Sequence, residues 1–164
     1  MSFLKIEGKV AIVTGGAQGI GESVVRALAE SGVVVAAIDR NVAKLSSLVN
    51  ELKSKGCNVE AFPVDVSDSK AVNTVVDLIE RNIGPIEILV NVAGILRMGS
   101  IESLSDLDWE NTFAVNSTGV FNVCRAVSKY MVPRLRDCWI KCSKSTSNIN
   151  GSLCSLESCI YNVY

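Results

Sequence analysis

Histidine is absent from this chain of 164 residues. Its absence excludes a Ser-His-Asp triad, a Cys-His nucleophile pair and histidine-ligated zinc. An excess of one charge is also lacking: 16 basic side chains stand against 17 acidic ones. No net field therefore draws the chain to nucleic acid or to a membrane surface. No apolar run reaches the roughly 18–20 residues of a membrane span. The start, Met1 to Glu7, has neither the basic opening nor the long apolar core of a signal peptide. Internal repeats, linkers and low-complexity tracts are missing up to about Pro133. These absences predict a cytoplasmic protein with a small-molecule ligand and no nucleic-acid, membrane or metal partner.

What is present suits one buried core. Hydrophobic residues make up 48% of the chain, and its length is that of about one domain. Runs rich in Val, Ile and Ala at residues 10–14, 33–38, 59–64 and 86–91 are apolar enough to be strands covered on both faces. Helical patterns at 20–31, 42–55 and 70–82 lie between them, closed by Gly32, Gly56 and Gly84-Pro85 where helix ends belong. Alternation at this spacing predicts right-handed βαβ units and a doubly wound parallel α/β sheet of Rossmann type. A longer helix is predicted from Ser105, an N-cap with Asp108 three positions on, towards Met131.

The first strand and helix meet in Thr14-Gly15-Gly16-Ala17-Gln18-Gly19-Ile20-Gly21. Gly15, Gly19 and Gly21 let the backbone turn sharply and approach a ligand, and the helix that follows offers unpaired N–H groups and a positive dipole end. A pyrophosphate fits there, beside Ala17, Gln18 and Ile20. Asp39 ends the second strand, about twenty residues on. Its carboxylate can accept both ribose hydroxyls and repels a 2′-phosphate, so NAD is favoured over NADP, with Arg40 pulling the other way. Asp65-Val66 ends the third strand, where a side-chain oxygen can meet the adenine amine. Asn91-Val92-Ala93-Gly94 ends the fourth, with small residues that let a flat cofactor lie against backbone.

Thr14 to Gly21, Asp39, Asp65, Asn91 to Gly94 and Asn116, in this order, resemble the short-chain dehydrogenase/reductase family over about residues 8–133. Residues 93–99 (Ala-Gly-Ile-Leu-Arg-Met-Gly), with Trp109, residues 112–116 and Gly119, are similar to the members that oxidise 2,3-dihydro-2,3-dihydroxybenzoate. The resemblance implies hydride transfer to NAD, after which the ring aromatises to a catechol acid used in siderophores. It also implies homo-oligomers for full-length members. Family catalysis uses Asn, Ser, Tyr and Lys: the Lys lowers the Tyr pKa, the Tyr takes the alcohol proton, the Ser orients the oxygen and the Asn holds a water. Asn116 matches the first of these, and the other three have no counterpart here. Arg97 is a candidate for the substrate carboxylate and equally for a surface arginine.

After Pro133 the composition changes. From Cys138 to Tyr164 the chain holds four of its six cysteines and six serines. Neither disulfides nor a metal site has supporting context in a cytosolic chain without histidine. A shift of reading frame near Leu135 accounts for the change. If Leu153 is TTA, the first base of Cys154 completes TAT, tyrosine; if Glu157 is GAA and Ser158 AGY, the shifted codon is AAA, lysine. These positions lie four residues apart, as in the family's Tyr-x-x-x-Lys, and a serine falls across Ile140 and Lys141, thirteen positions before the tyrosine. A shifted Thr-Lys would place a stop after Tyr164.

The expected organisation is therefore a NAD-binding Rossmann domain over 1–133 and an aberrant, out-of-frame tail over 134–164. The sheet is expected to be incomplete after the fourth strand and the long helix. The tail is expected to be irregular or poorly ordered from about Arg134, leaving the fourth strand a poorly matched neighbour or an open edge, and the chain aggregation-prone or insoluble. An inactive dehydrogenase by descent and a non-catalytic, NAD-sensing module both remain open. Within enzymes, a sugar or acyl-carrier reductase is the alternative.

Overall fold

Strands apolar at every position need a cover on both faces, and alternating side chains supply one contact set to each. The computed structural model describes residues 6–144 and 160–162. In it, β1 (Val10–Thr14), β2 (Val34–Asp39), β3 (Val59–Pro63) and β4 (Ile86–Asn91) alternate with α1 (Gly19–Glu30), α2 (Val42–Ser54) and α3 (Ser69–Asn82). All pair in parallel in the order β3-β2-β1-β4. Val10, Ile12, Ala36, Ile38 and Leu89 pack on one face with Val72, Val76 and Ile79 of α3. Ala11, Val13, Val35, Ala37, Ile88 and Val90 pack on the other with Val25 and Ala29 of α1 and Leu45, Leu48 and Leu52 of α2. The doubly wound α/β sheet is thus present, and its order reverses between β1 and β4, where such sheets hold their ligands.

The long helix begins as expected: Ser105 caps α4 (Asp106–Phe113), accepting from Asp108 N–H at 3.1 Å. It is not continuous. A π-helical turn, Ala114–Gly119, separates α4 from α5 (Val120–Lys144). Such turns recur at functional sites, and this one contains Asn116.

One expectation for the tail is corrected and another is narrowed. The chain is not irregular from Arg134, because α5 continues through Pro133 to Lys144. Pro133 is exposed, so the carbonyl it leaves unpaired can be met by water. Leu135, Arg136, Lys141 and Lys144 are good helix formers. Of the two outcomes expected for β4, a short neighbour rather than a fully open edge is found: β5 (Ile160–Asn162) pairs in parallel with its last three residues, Leu89 with Ile160 and Asn91 with Asn162. A β-branched and an aromatic residue, Ile160 and Tyr161, suit that position. The expected serine- and asparagine-rich stretch and the shifted Tyr and Lys positions at 153 and 157 lie outside the described residues.

α3 and α5 are joined by polar contacts at helical spacing: Arg125 to Ser69, Lys129 to Asn73, Tyr130 to Asp77 and Arg134 to Glu80. The last also fixes β4. Between Val10 and Ala11 the register of β1 on β4 shifts, and there Ile86 N–H donates to Glu80 Oε2 at 2.9 Å while Arg134 donates to Ile86 O. Glu80→Ala leaves that N–H without its acceptor and takes the carboxylate from a part-buried guanidinium, which keeps only Ile86 O. The variant is expected to lose about 1–3 kcal/mol of unfolding free energy in urea titration, by the cost of stranding buried polar groups. A wild-type midpoint would show that water replaces the carboxylate.

Candidate functional site

At the switch point the chain ends of β1 and β4 are tied together by one hydroxyl. Thr14 is buried, and its Oγ1 accepts from Val92 N–H at 3.1 Å and Ala93 N–H at 3.2 Å. Gly15 follows at φ +69°, where a Cβ would stand 2.8 Å from Ala93 Cα. A Cβ on Gly21 would stand 2.0 Å from Gly15 O, so α1 lies flush against the loop. Gly19, at φ +57°, has nothing within 4 Å of where its Cβ would point. Gln18 sits at the N-cap without a side-chain cap, and the backbone bond from Glu22 N–H to Gln18 O (3.2 Å) opens the helix. The N–H groups ahead of Glu22 lie outside the helical ladder and at its positive end, a ready anion site.

Asp39 closes one side. Its Oδ2 accepts from Ala17 N–H at 3.0 Å and its Oδ1 from Asn41 N–H at 2.8 Å. Each oxygen keeps a further lone pair, so a fixed carboxylate can take two more donors. Arg40 lines the cleft beside it, and Lys44 Nζ donates to Gln18 Oε1 at 2.7 Å. In the next loop Asp65 Oδ1 accepts from Ser67 Oγ (2.7 Å) and Ser67 N–H (2.9 Å). These two bonds, the hydroxyl first, hold the carboxyl below its ordinary range against the opposing effect of partial burial, with a smaller contribution from Arg40. Asp65 therefore stays an acceptor-only group at neutral pH.

The far wall comes from β4 and the π turn. Asn116 Oδ1 accepts from Ile95 N–H at 2.8 Å and its Nδ2 donates to Ile95 O at 2.9 Å, which clamps the strand exit to the helix. Asn91 is buried beneath, its amide donating to Cys124 Sγ at 3.4 Å.

The result is a cleft of about 310 Å³. Gly15, Gln18, Gly19, Ile20, Gly21, Asp39, Arg40, Asp65, Val66, Ala93 and Gly94 all line it. Ala17, Asn91 and Asn116 do not: Ala17 contributes its N–H to Asp39, Asn91 packs below, and Asn116 acts on the wall through Ile95. Arg97 stands apart on the surface, 52% exposed and 3.6 Å from Asp108 Oδ1. Sequence reasoning did not single out the apolar walls Ile38, Val64, Ile95 and Val115. Their signal was position: Ile38, Val64 and Val115 each stand directly before a named polar residue, and Ile95 directly after Gly94. A nicotinamide dinucleotide fits this donor set: backbone N–H groups and an open glycine for the pyrophosphate, paired acceptors for ribose, apolar walls for flat rings. Among the described residues no helix is long and apolar enough to cross a membrane, and no cluster of three His, Cys, Asp or Glu could hold a metal.

Comparison with known proteins agrees with the geometry. A family model for short chain dehydrogenases matches residues 9–138. The 2,3-dihydro-2,3-dihydroxybenzoate dehydrogenase of Bacillus subtilis is 60% identical over 134 residues, covering 82% of this chain and 51% of that protein. The D-threitol dehydrogenase of Mycolicibacterium smegmatis is 39% identical over 128 residues, covering 78% and 49%. Among solved structures, a gluconate 5-dehydrogenase from Burkholderia cenocepacia in complex with NADP and tartrate superposes with a TM-score of 0.73 at 36% identity, covering 78% of this chain and 50% of that one. The chain thus spans about half the length of the curated relatives it matches. With a switch-point cleft built for a nicotinamide dinucleotide and a family match over most of its length, the chain belongs to the short-chain dehydrogenase family of oxidoreductases.

Proposed function

We propose that the gene belongs to an NAD-dependent dehydrogenase of 2,3-dihydro-2,3-dihydroxybenzoate, and that the chain as given keeps the dinucleotide half without the proton-transfer residues. The observation that carries the cofactor choice is Asp39, whose carboxylate is fixed by Ala17 N–H and Asn41 N–H at the edge of the cleft. A fixed charge there accepts from a 2′,3′-diol and repels a 2′-phosphate. NAD, when bound, supplies the hydride acceptor. This chain's residues then bind and orient: the α1 N-terminus takes the pyrophosphate, Asp39 the ribose, and Asn116 holds Ile95 in place at the far wall. The substrate assignment is supported by residues 93–99 and by the 60% identity to the Bacillus enzyme.

Equilibrium titration of the 164-residue chain with NAD and with NADP tests the cofactor reading. NAD is expected to bind more tightly, and Asp39→Ala to weaken NAD by about tenfold while strengthening NADP, as loss of a charged acceptor and of a like-charge repulsion requires. Tighter NADP binding by the unaltered chain would assign Arg40 the deciding role instead.

The second reading, a non-catalytic dinucleotide-binding module, is favoured by one observation: no Ser or Tyr-x-x-x-Lys follows Asn116 at family spacing. It differs in its prediction for turnover, taken up in the Discussion.

A further inference from the structure

We propose that Asn122 is a positioning residue for the adenine end of the cleft, acting through the loop between β3 and α3. The inference rests on the dinucleotide reading above. Asn122 lies on the first turn of α5 and is 3% exposed. A polar side chain so buried must spend its hydrogen bonds inside the protein. Its amide nitrogen donates to Val66 O at 3.1 Å and to Ser67 O at 3.3 Å. Its Oδ1 accepts from Arg125 Nη2 at 3.4 Å, and that nitrogen also donates to Ser69 Oγ at 2.9 Å. Three residues earlier, a Cβ on Gly119 would stand 2.6 Å from Val66 Cγ2, so helix and loop meet with no room to spare.

The loop held in this way carries Asp65 and Val66, and both line the cleft. Its shape is set from within, by the two bonds from Ser67 to Asp65 Oδ1. Its distance from the opposite wall is set from outside, by Asn122. The helical unit that carries Asn122 also carries Asn116, which grips Ile95 on the other wall. Two asparagines six positions apart therefore hold the two sides of one cleft, and removing Asn122 releases only the side that faces a purine amine. An acceptor displaced by even a fraction of an ångström loses a directional bond to that amine while the pyrophosphate and nicotinamide ends keep theirs.

The test uses the 164-residue chain, with NAD, AMP and nicotinamide mononucleotide as separate probes in equilibrium titrations. Asn122→Leu removes the donors and keeps the branched shape, with somewhat greater bulk. Asn122→Asp keeps size and polarity and turns an oxygen towards the two carbonyls, so it reports even if the leucine variant fails to fold. Both are expected to weaken NAD and AMP about tenfold and to leave nicotinamide mononucleotide unchanged. Amide exchange at Ser67 and Asp68 is expected to speed up in both. AMP affinity equal to wild type in a folded variant, or an equal loss for AMP and nicotinamide mononucleotide, would overturn the role of Asn122. If the unaltered chain binds none of the three probes, the dinucleotide reading falls first and this inference with it.

Discussion

Replacing Gly21 by alanine is expected to abolish dinucleotide binding and to remove about 3 kcal/mol or more of folding free energy, at the upper end of overpacking costs. Alanine is the better helix former by about 1 kcal/mol, so on propensity alone the substitution would stabilise α1. Geometry decides otherwise, because the new Cβ would stand 2.0 Å from Gly15 O and 2.7 Å from Gly15 C. Both are backbone atoms, and neither can move alone. Gly15 itself is wedged against Ala93, and Thr14 beside it bonds to Val92 and Ala93. Relief would push α1 outwards and move its N-terminal N–H groups away from the cleft. Gly19→Ala is the control: no atom lies within 4 Å of its Cβ, and the cost is the left-handed backbone at φ +57°, about 1–2 kcal/mol. Chemical denaturation should therefore rank Gly21→Ala well below Gly19→Ala. NAD titration should find no binding by the first. A Gly21→Ala chain with wild-type stability and affinity would mean that the loop and helix are less tightly joined than their geometry requires.

Most of the fold was legible because the core obeys a simple period. Residues 10–14 and 86–91 were expected as strands and are β1 and β4 to the residue, since strands buried on both faces leave apolar runs, broken in β4 only by Glu87 before the closing Asn91. The other strands and helices shift by a residue at their ends, as caps do. The cofactor side of the cleft was legible for a different reason: glycine at a positive φ and an acid at a strand end are chemical requirements that leave a mark in sequence. The π turn was not legible, because one extra residue in a helical turn changes hydrogen-bond partners without altering residue type. Asn122 was missed because a lone polar residue in a helix reads as a solvated position, and only the fold places a loop over it. Arg97 was singled out as a cation within the family-like stretch 93–99, but its partner in the fold is Asp108, a surface carboxylate. The helix through Pro133 and the pairing of Ile160–Asn162 with β4 were missed because the compositional break at Arg134 suggested a loss of structure.

The largest expected effect lies in the coding DNA and in turnover. Read one base on after about codon 135, the gene is expected to continue an open frame through Ser, thirteen further residues to Tyr, then Lys four positions later, and well beyond codon 164. Synonymous codons give latitude at each position, but the order and spacing of a whole catalytic segment are not free. The 164-residue chain is expected to oxidise 2,3-dihydro-2,3-dihydroxybenzoate with NAD no faster than background. Without the Tyr that accepts the alcohol proton and the Lys that lowers its pKa, acid-base help of about 10² to 10⁴ in rate is lost. A chain translated from the corrected frame is expected to reduce NAD with that substrate. Its Asn116→Ala variant should be slower, since the Ile95 clamp is released. Assay of both chains by NADH absorbance, together with sequencing of the gene, separates the readings. A stop or unrelated residues in the shifted frame would remove the frameshift account, and an inactive chain that still binds NAD would then stand as a dinucleotide-binding module in its own right. NADH production by the 164-residue chain, abolished in Asn116→Ala, would show instead that proton transfer runs through groups this fold already holds.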